Sequence, residues 1–192
     1  MLDLRIQQHF IDSADLQYQA AEPLAKPVDA GVQALIACLT SGGKVMACGL
    51  GAAAAFAHYF AALFVAGFER ERPELAAVAL SADSFTDDDH AGLARQVRAL
   101  GQAGDLLLVL SAHGQEEGLL QAVQSAHERD MTVIALTGKG GGALAKALRE
   151  TDVHVCIPHD RAARVREVQQ LVLHCLCDGV DAQLMGEQEP LS

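Results

Sequence analysis

The spacing of apolar residues changes at about residue 43. Before it, apolar side chains recur at three- and four-residue steps, which is the pattern of an amphipathic helix. This pattern predicts one helix over residues 4–21 and a second that carries Val28, Val32, Leu35, Ile36 and Leu39. We expect Pro23 and Pro27 to separate the two helices, because the residue before a proline is disfavoured in helical dihedral angles.

After residue 43, short continuous apolar runs alternate with helical periodicity. The runs predict strands at 44–48, 75–80, 105–110, 131–136 and 153–157, and the periodic segments predict helices at 52–68, 93–100, 118–128, up to 148, and 161–185. Continuous apolar strands between helices indicate a parallel sheet that is covered on both faces. We therefore expect one α/β domain, a doubly wound five-stranded parallel sheet flanked by helices. Its parts are N-terminal helices over 1–41, a core over 44–185 and a polar tail over 186–192.

Composition and charge narrow the class of protein. The net charge is −11, from 14 Lys+Arg and 25 Asp+Glu, which argues against direct nucleic-acid binding because that function uses a basic surface. No window approaches the ~20 apolar residues of a membrane span. The N-terminus lacks the continuous apolar stretch of a signal peptide. We expect a cytoplasmic protein that makes no membrane contact.

The titratable residues give no clear metal site. The five cysteines form no C-x-x-C pair, and no histidines accompany them at zinc-ligand spacing. The Asp-Asp-Asp-His run at 87–90 offers metal-ligand side chains, but four adjacent loop residues rarely converge on one ion. We expect buried, reduced thiols, a solvated acidic loop, no metal and no cofactor.

Three turns that follow predicted strands are candidates for ligand binding. In open parallel sheets, ligands bind beyond the carboxyl ends of the strands, where helix N-termini offer unpaired N–H groups. A phosphorylated ligand would suit such turns, although none of them matches a nucleotide-binding motif and each is also explained by strand-to-helix geometry. The candidate ligand-binding residues are Gly49, Gly51, Ser111, His113 and Thr137.

Five stretches in order carry a family resemblance. They are GKVMACG at 43–49, FERERP at 68–73, QVRALGQAGD at 96–105, ALTGKGGG at 135–142, and residues 158–178. Together they resemble the sugar isomerase (SIS) domain family, in the branch that holds phosphoheptose isomerase and the DnaA initiator-associating protein DiaA. Residues 96–105, 129–138 and 175–178 look closer to DiaA. The resemblance implies a homotetramer with phosphosugar-type pockets between subunits.

The chain departs from this family where the resemblance implies functional residues. The family's catalytic glutamate aligns with Leu63, whereas its histidine is retained as His174. In the serine-rich run after the third strand, Ser111 and Gly114 remain, but Glu116 introduces a carboxylate that repels phosphate. Four further polar positions of the family are replaced by Leu50, Ala53, Ala163 and Arg166.

These replacements predict a non-catalytic scaffold that resembles DiaA, binds the replication initiator DnaA as a homotetramer and promotes replication initiation. The expected partner contact is Leu184 with Met185, an apolar pair at the end of the last helix, for which subunit packing is the alternative. Two other functions stay open. One is phosphoheptose isomerase acting on sedoheptulose 7-phosphate, with His174 as the acid–base residue. The other is a sensor that binds a phosphosugar without reacting.

Overall fold

The computed structural model describes residues 1–81 and 91–186. The predicted acidic loop, with the run at 87–90, and all but the first residue of the predicted tail lie outside the described residues. The helices are α1 (Leu2–Thr40), α2 (Ala52–Ala66), α3 (Gly92–Leu100), α4 (Glu117–Glu128), α5 (Gly142–Ala147) and α6 (Ala162–Met185). The strands are β1 (Val45–Gly49), β2 (Ala77–Ala79), β3 (Leu106–Leu110), β4 (Thr132–Thr137) and β5 (Val153–Cys156).

The five strands form one parallel sheet in the order β2-β1-β3-β4-β5. This confirms the predicted α/β fold with a five-stranded parallel sheet flanked by helices. The chain builds β1 and β2 in one direction across the sheet, and then returns to add β3 on the other side of β1. The crevice beyond the carboxyl ends of β1 and β3 is therefore the switch point, where ligands bind in this kind of sheet.

Each face of the sheet has its own apolar core. Alternate strand residues point to opposite faces, so Leu106 and Leu108 join α1, α2 and α6 in the larger cluster. Leu107 and Val109 join α3 and α4 in the smaller one. Because both faces are covered, the central strand β3 is apolar throughout and fully buried.

The N-terminal arm is one helix, and the prediction of two helices separated by prolines is wrong. Pro23 and Pro27 lie inside α1. Each proline removes one backbone hydrogen bond. The buried face of α1 continues past both of them and packs mainly against α6, which offsets the local cost. Its buried residues are Leu16, Ala20, Leu24, Gly31, Val32, Leu35 and Cys38.

A buried ion pair joins α6 to the segment after α2. Arg72 Nε lies 2.6 Å from Asp181 Oδ1, and both side chains are almost completely buried. The Arg72 guanidinium also donates to the carbonyl oxygens of Leu63 and Phe64, in the last turn of α2. This pair fixes the end of α2 against α6. Within residues 1–81 and 91–186, no helix is long and apolar enough to cross a membrane.

Candidate functional site

The three predicted turns meet along the carboxyl edge of the sheet. β1, β3 and β4 are neighbours, so the turns that follow them lie side by side. The turn after β3 contacts the start of α5, the helix that follows the turn after β4, because Leu144 N donates to the carbonyl oxygen of Gly114 at 2.9 Å. Gly114 has a φ of +69°, and a side chain there would collide with the Gly141 carbonyl, so glycine is required at this contact.

Ser111 organises the turn between β3 and α4. Its hydroxyl oxygen accepts hydrogen bonds from the backbone N–H groups of His113 (3.1 Å) and Gly114 (2.6 Å). The same hydroxyl donates to Glu116 Oε2 at 2.6 Å, and this carboxylate oxygen also accepts from the backbone N–H of Gln115 at 2.9 Å. Ser111 is buried and Glu116 is half-buried. The turn therefore binds a carboxylate of its own chain.

The other predicted ligand-binding residues occupy different roles. Gly49 ends β1 and allows close packing, because a Cβ there would meet the Ala53 backbone; Gly51 has a φ of +57° and begins α2. His113 is exposed to solvent. Thr137 is fully buried, and its hydroxyl lies 2.8 Å from His154 Nε2 instead of facing the edge. Burial lowers the pKa of His154.

Gln169 lies beneath this edge and was not predicted from the sequence. It is fully buried on α6, and its Nε2 donates to the carbonyl oxygens of Ser111 (2.8 Å) and Leu136 (2.9 Å). Because these carbonyls belong to the ends of β3 and β4, one side chain ties the two turns to α6. Its Oε1 is buried and has no hydrogen-bond partner in the described structure.

A second group of titratable residues lies between α2 and α6. Tyr59 Oη is 2.8 Å from His174 Nε2, and the Phe68 ring stacks on the histidine with centroids 5.3 Å apart. Tyr59 and His174 are both half-buried, so each keeps part of its surface exposed to solvent. His174 was a candidate from the sequence but Tyr59 was not, because a pair 115 residues apart has no spacing signal. The pair combines two groups that can move protons.

The Tyr59–His174 pair is separated from the carboxyl edge within one chain. Both helices begin at that edge, since α2 follows β1 and α6 follows β5. His174 comes twelve residues after Ala162, which is about 18 Å along the helix axis. Leu63, one turn beyond Tyr59, packs against the larger core cluster and offers no acid–base group. A single chain thus presents the Ser111 turn and the Tyr59–His174 pair as two distinct features.

The partner contact predicted at Leu184 and Met185 stays a prediction. Leu184 and Met185 are half-buried, and Leu184 packs against the core of its own chain. Among residues 1–81 and 91–186, no group of three or more His, Cys, Asp or Glu residues could hold a metal ion. Burial raises the pKa of Cys48 to about 12.

Known proteins resemble this chain over nearly its whole length. The model of the SIS domain family matches residues 8–138. A protein from Methylibium petroleiphilum named phosphoheptose isomerase is 55% identical and covers 98% of each chain. The structure of phosphoheptose isomerase GmhA from Neisseria gonorrhoeae has a TM-score of 0.89 and 40% identity, covering 95% of this chain and 100% of that one. A phosphoheptose isomerase structure from Francisella tularensis also has a TM-score of 0.89, at 36% identity, covering 94% and 98%.

These matches overturn the expectation of a non-catalytic scaffold for DnaA, which is wrong. Relatives between 40% and 55% identical are named for an isomerase, an aldose–ketose enzyme. That expectation rested on the missing carboxylate at Leu63. It did not include Tyr59, whose hydroxyl gives His174 a titratable partner.

Proposed function

Because the chain belongs to the SIS domain family, we propose that it is an aldose–ketose isomerase of the phosphoheptose isomerase kind. The observation that carries this proposal is the 55% identity to a protein of that name over 98% of both chains. The substrate class is then a phosphorylated seven-carbon sugar such as sedoheptulose 7-phosphate. The Tyr59–His174 pair is the part of the structure that can serve this chemistry.

Aldose–ketose isomerisation moves one proton between adjacent carbons. A base removes the proton from the carbon beside the carbonyl, and an acid protonates the carbonyl oxygen to give an enediol; the reverse steps at the other carbon complete the reaction. Histidine is the side chain that most often moves protons near neutral pH. In this proposal His174 moves the carbon-bound proton and Tyr59, at 2.8 Å, exchanges a proton with a sugar oxygen. Phe68 keeps the imidazole ring in place by stacking.

A complete pocket is proposed to form between subunits of a homotetramer. The distance along α6 between its start and His174 supports this arrangement, because a second chain could bring its Ser111 turn to the pair. Exposed apolar side chains on the N-terminal half of α1 also support an assembly, among them Phe10 (75% exposed) and Tyr18 (86%). Light scattering should give about four times the chain mass of 20.2 kDa. A monomer at working concentration would contradict the assembly.

Turnover of sedoheptulose 7-phosphate by the purified protein is the direct test. His174→Gln should lower kcat by about 10²- to 10⁴-fold, the usual contribution of acid–base catalysis, and Tyr59→Phe should also lower it. His58→Gln is the matched control, since His58 is exposed on α2 and directly precedes Tyr59. Absence of turnover, or an equal loss in His58→Gln, would contradict the proposal.

Binding of a phosphosugar without turnover is the second candidate. It is favoured by Leu63, which leaves α2 without a carboxylate at the position where the resemblance implies the catalytic glutamate. A phosphosugar that raises the melting temperature of the protein but is not converted would identify this function, since a ligand specific for the folded state stabilises it. Conversion of the same compound would exclude it.

A further inference from the structure

The turn between β3 and α4 holds the carboxylate of Glu116 as a bound anion. One oxygen, Oε2, receives the Ser111 hydroxyl at 2.6 Å and the Gln115 backbone N–H at 2.9 Å. Ser111 is itself fixed by the N–H groups of His113 and Gly114. Hydrogen bonds to an ionised acceptor are stronger than neutral ones. The turn is thus already arranged to hold a negatively charged oxygen.

Glu116 does not take the usual role of its position. It is the N-cap residue of α4, a position where the short side chains of Ser, Thr, Asp or Asn normally accept from the N–H groups of the first helical turn. Here the side chain makes no capping hydrogen bond and instead folds back onto the preceding turn. The Glu116 side chain could therefore leave the turn without breaking a capping hydrogen bond of α4.

We propose that Glu116 is an internal competitor for the phosphoryl group of the ligand and thereby lowers the affinity of this turn for phosphate. This inference rests on the proposed function, which supplies a phosphorylated sugar as the ligand. A phosphoryl group and a carboxylate cannot share the same donors, because like charges repel. The phosphoryl group binds when the Glu116 side chain swings out, and Glu116 and Gln115 have solvent access that permits this movement.

Titration with inorganic phosphate tests the proposal without any chemical turnover. Glu116→Gln and Glu116→Ala should bind phosphate about tenfold more tightly than the unmodified protein, since one charge-assisted hydrogen bond is worth at least about that factor. Glu117→Gln is the matched control: it removes the same charge from the next residue, which is exposed and bonded to Gln121. It should change phosphate affinity by less than about twofold, as exposed charges contribute little.

Unchanged phosphate affinity in both Glu116 variants would overturn the proposal, and so would an equal gain in Glu117→Gln, because that gain would be a general charge effect. Circular dichroism verifies that each variant is folded, and Glu116→Gln keeps the size and an acceptor oxygen if the alanine variant is unstable. The KM for sedoheptulose 7-phosphate separates the two proposals. If the Glu116 variants turn over the sugar with the KM and the phosphate affinity of the unmodified protein, only the role of Glu116 is refuted. If the variants bind phosphate more tightly but no protein turns over the sugar, only the isomerase function is refuted.

Discussion

Asp181→Ala should destabilise the protein strongly, because it removes the counter-charge of a buried guanidinium. Arg72 Nε lies 2.6 Å from Asp181 Oδ1, and the two side chains are 0% and 3% exposed. Breaking a buried pair by removing one partner costs about 3–5 kcal/mol. At about 2–4 °C per kcal/mol for a chain of this size, the melting temperature should fall by about 6–20 °C.

Urea unfolding followed by circular dichroism measures this loss, at several protein concentrations to separate folding from assembly. Asp178→Ala is the control, since Asp178 is exposed three residues earlier on α6, and it should change the free energy of unfolding by less than about 0.5 kcal/mol. Replacing both partners, Arg72→Met with Asp181→Leu, should recover part of the stability, because no buried charge is left unpaired. A loss below about 1 kcal/mol in Asp181→Ala would contradict the expected cost of leaving Arg72 buried without its counter-charge.

Three further substitutions or treatments probe the described structure. Burial lowers the pKa of His154, so the unfolded chain binds more protons than the folded one. The free energy of unfolding should therefore fall as the pH drops below about 6.5. His154→Gln should flatten this pH dependence in melting curves recorded between pH 7 and 5. Gly114→Ala should cost about 2–4 kcal/mol in urea unfolding, because φ is +69° and the new Cβ meets the Gly141 carbonyl; wild-type stability would contradict this contact. Cys48 should resist alkylation at pH 8 until the protein is denatured, because its pKa is raised to about 12 and it is fully buried. Rapid labelling of native Cys48 would be inconsistent with a buried β1.

Continuous apolar runs bounded by turns made the central strands predictable. The predicted strand at 105–110 is Leu106–Leu110 in the structure, and that at 131–136 is Thr132–Thr137. The N-terminal arm was not predictable in the same way. The conformational preference of a proline depends on its neighbours in sequence, whereas the packing of α1 against α6 depends on residues far along the chain. A helix whose buried face continues past Pro23 and Pro27 can be recognised only when its partner helix is known.

The candidate site was predictable only where its residues are close in sequence. Ser111 and Glu116 lie five residues apart, so their proximity and the conflict with phosphate followed from the sequence. The Tyr59–His174 pair depends on how α2 and α6 pack, which no local pattern reveals. Thr137 was placed at the correct strand end, but pairing of β4 with β5 brings His154 to its hydroxyl.

In the proposed function, the Tyr59–His174 pair isomerises a phosphorylated sugar by proton transfer. Incubation of sedoheptulose 7-phosphate with the protein in D2O, followed by NMR, tests it most directly, because the enediol route exchanges the transferred proton with solvent. We predict deuterium at the carbon beside the carbonyl with the unmodified protein, and its loss by at least about 10²-fold in His174→Gln. Undeuterated and unconverted substrate at high protein concentration, or full exchange in His174→Gln, would contradict proton transfer by this pair.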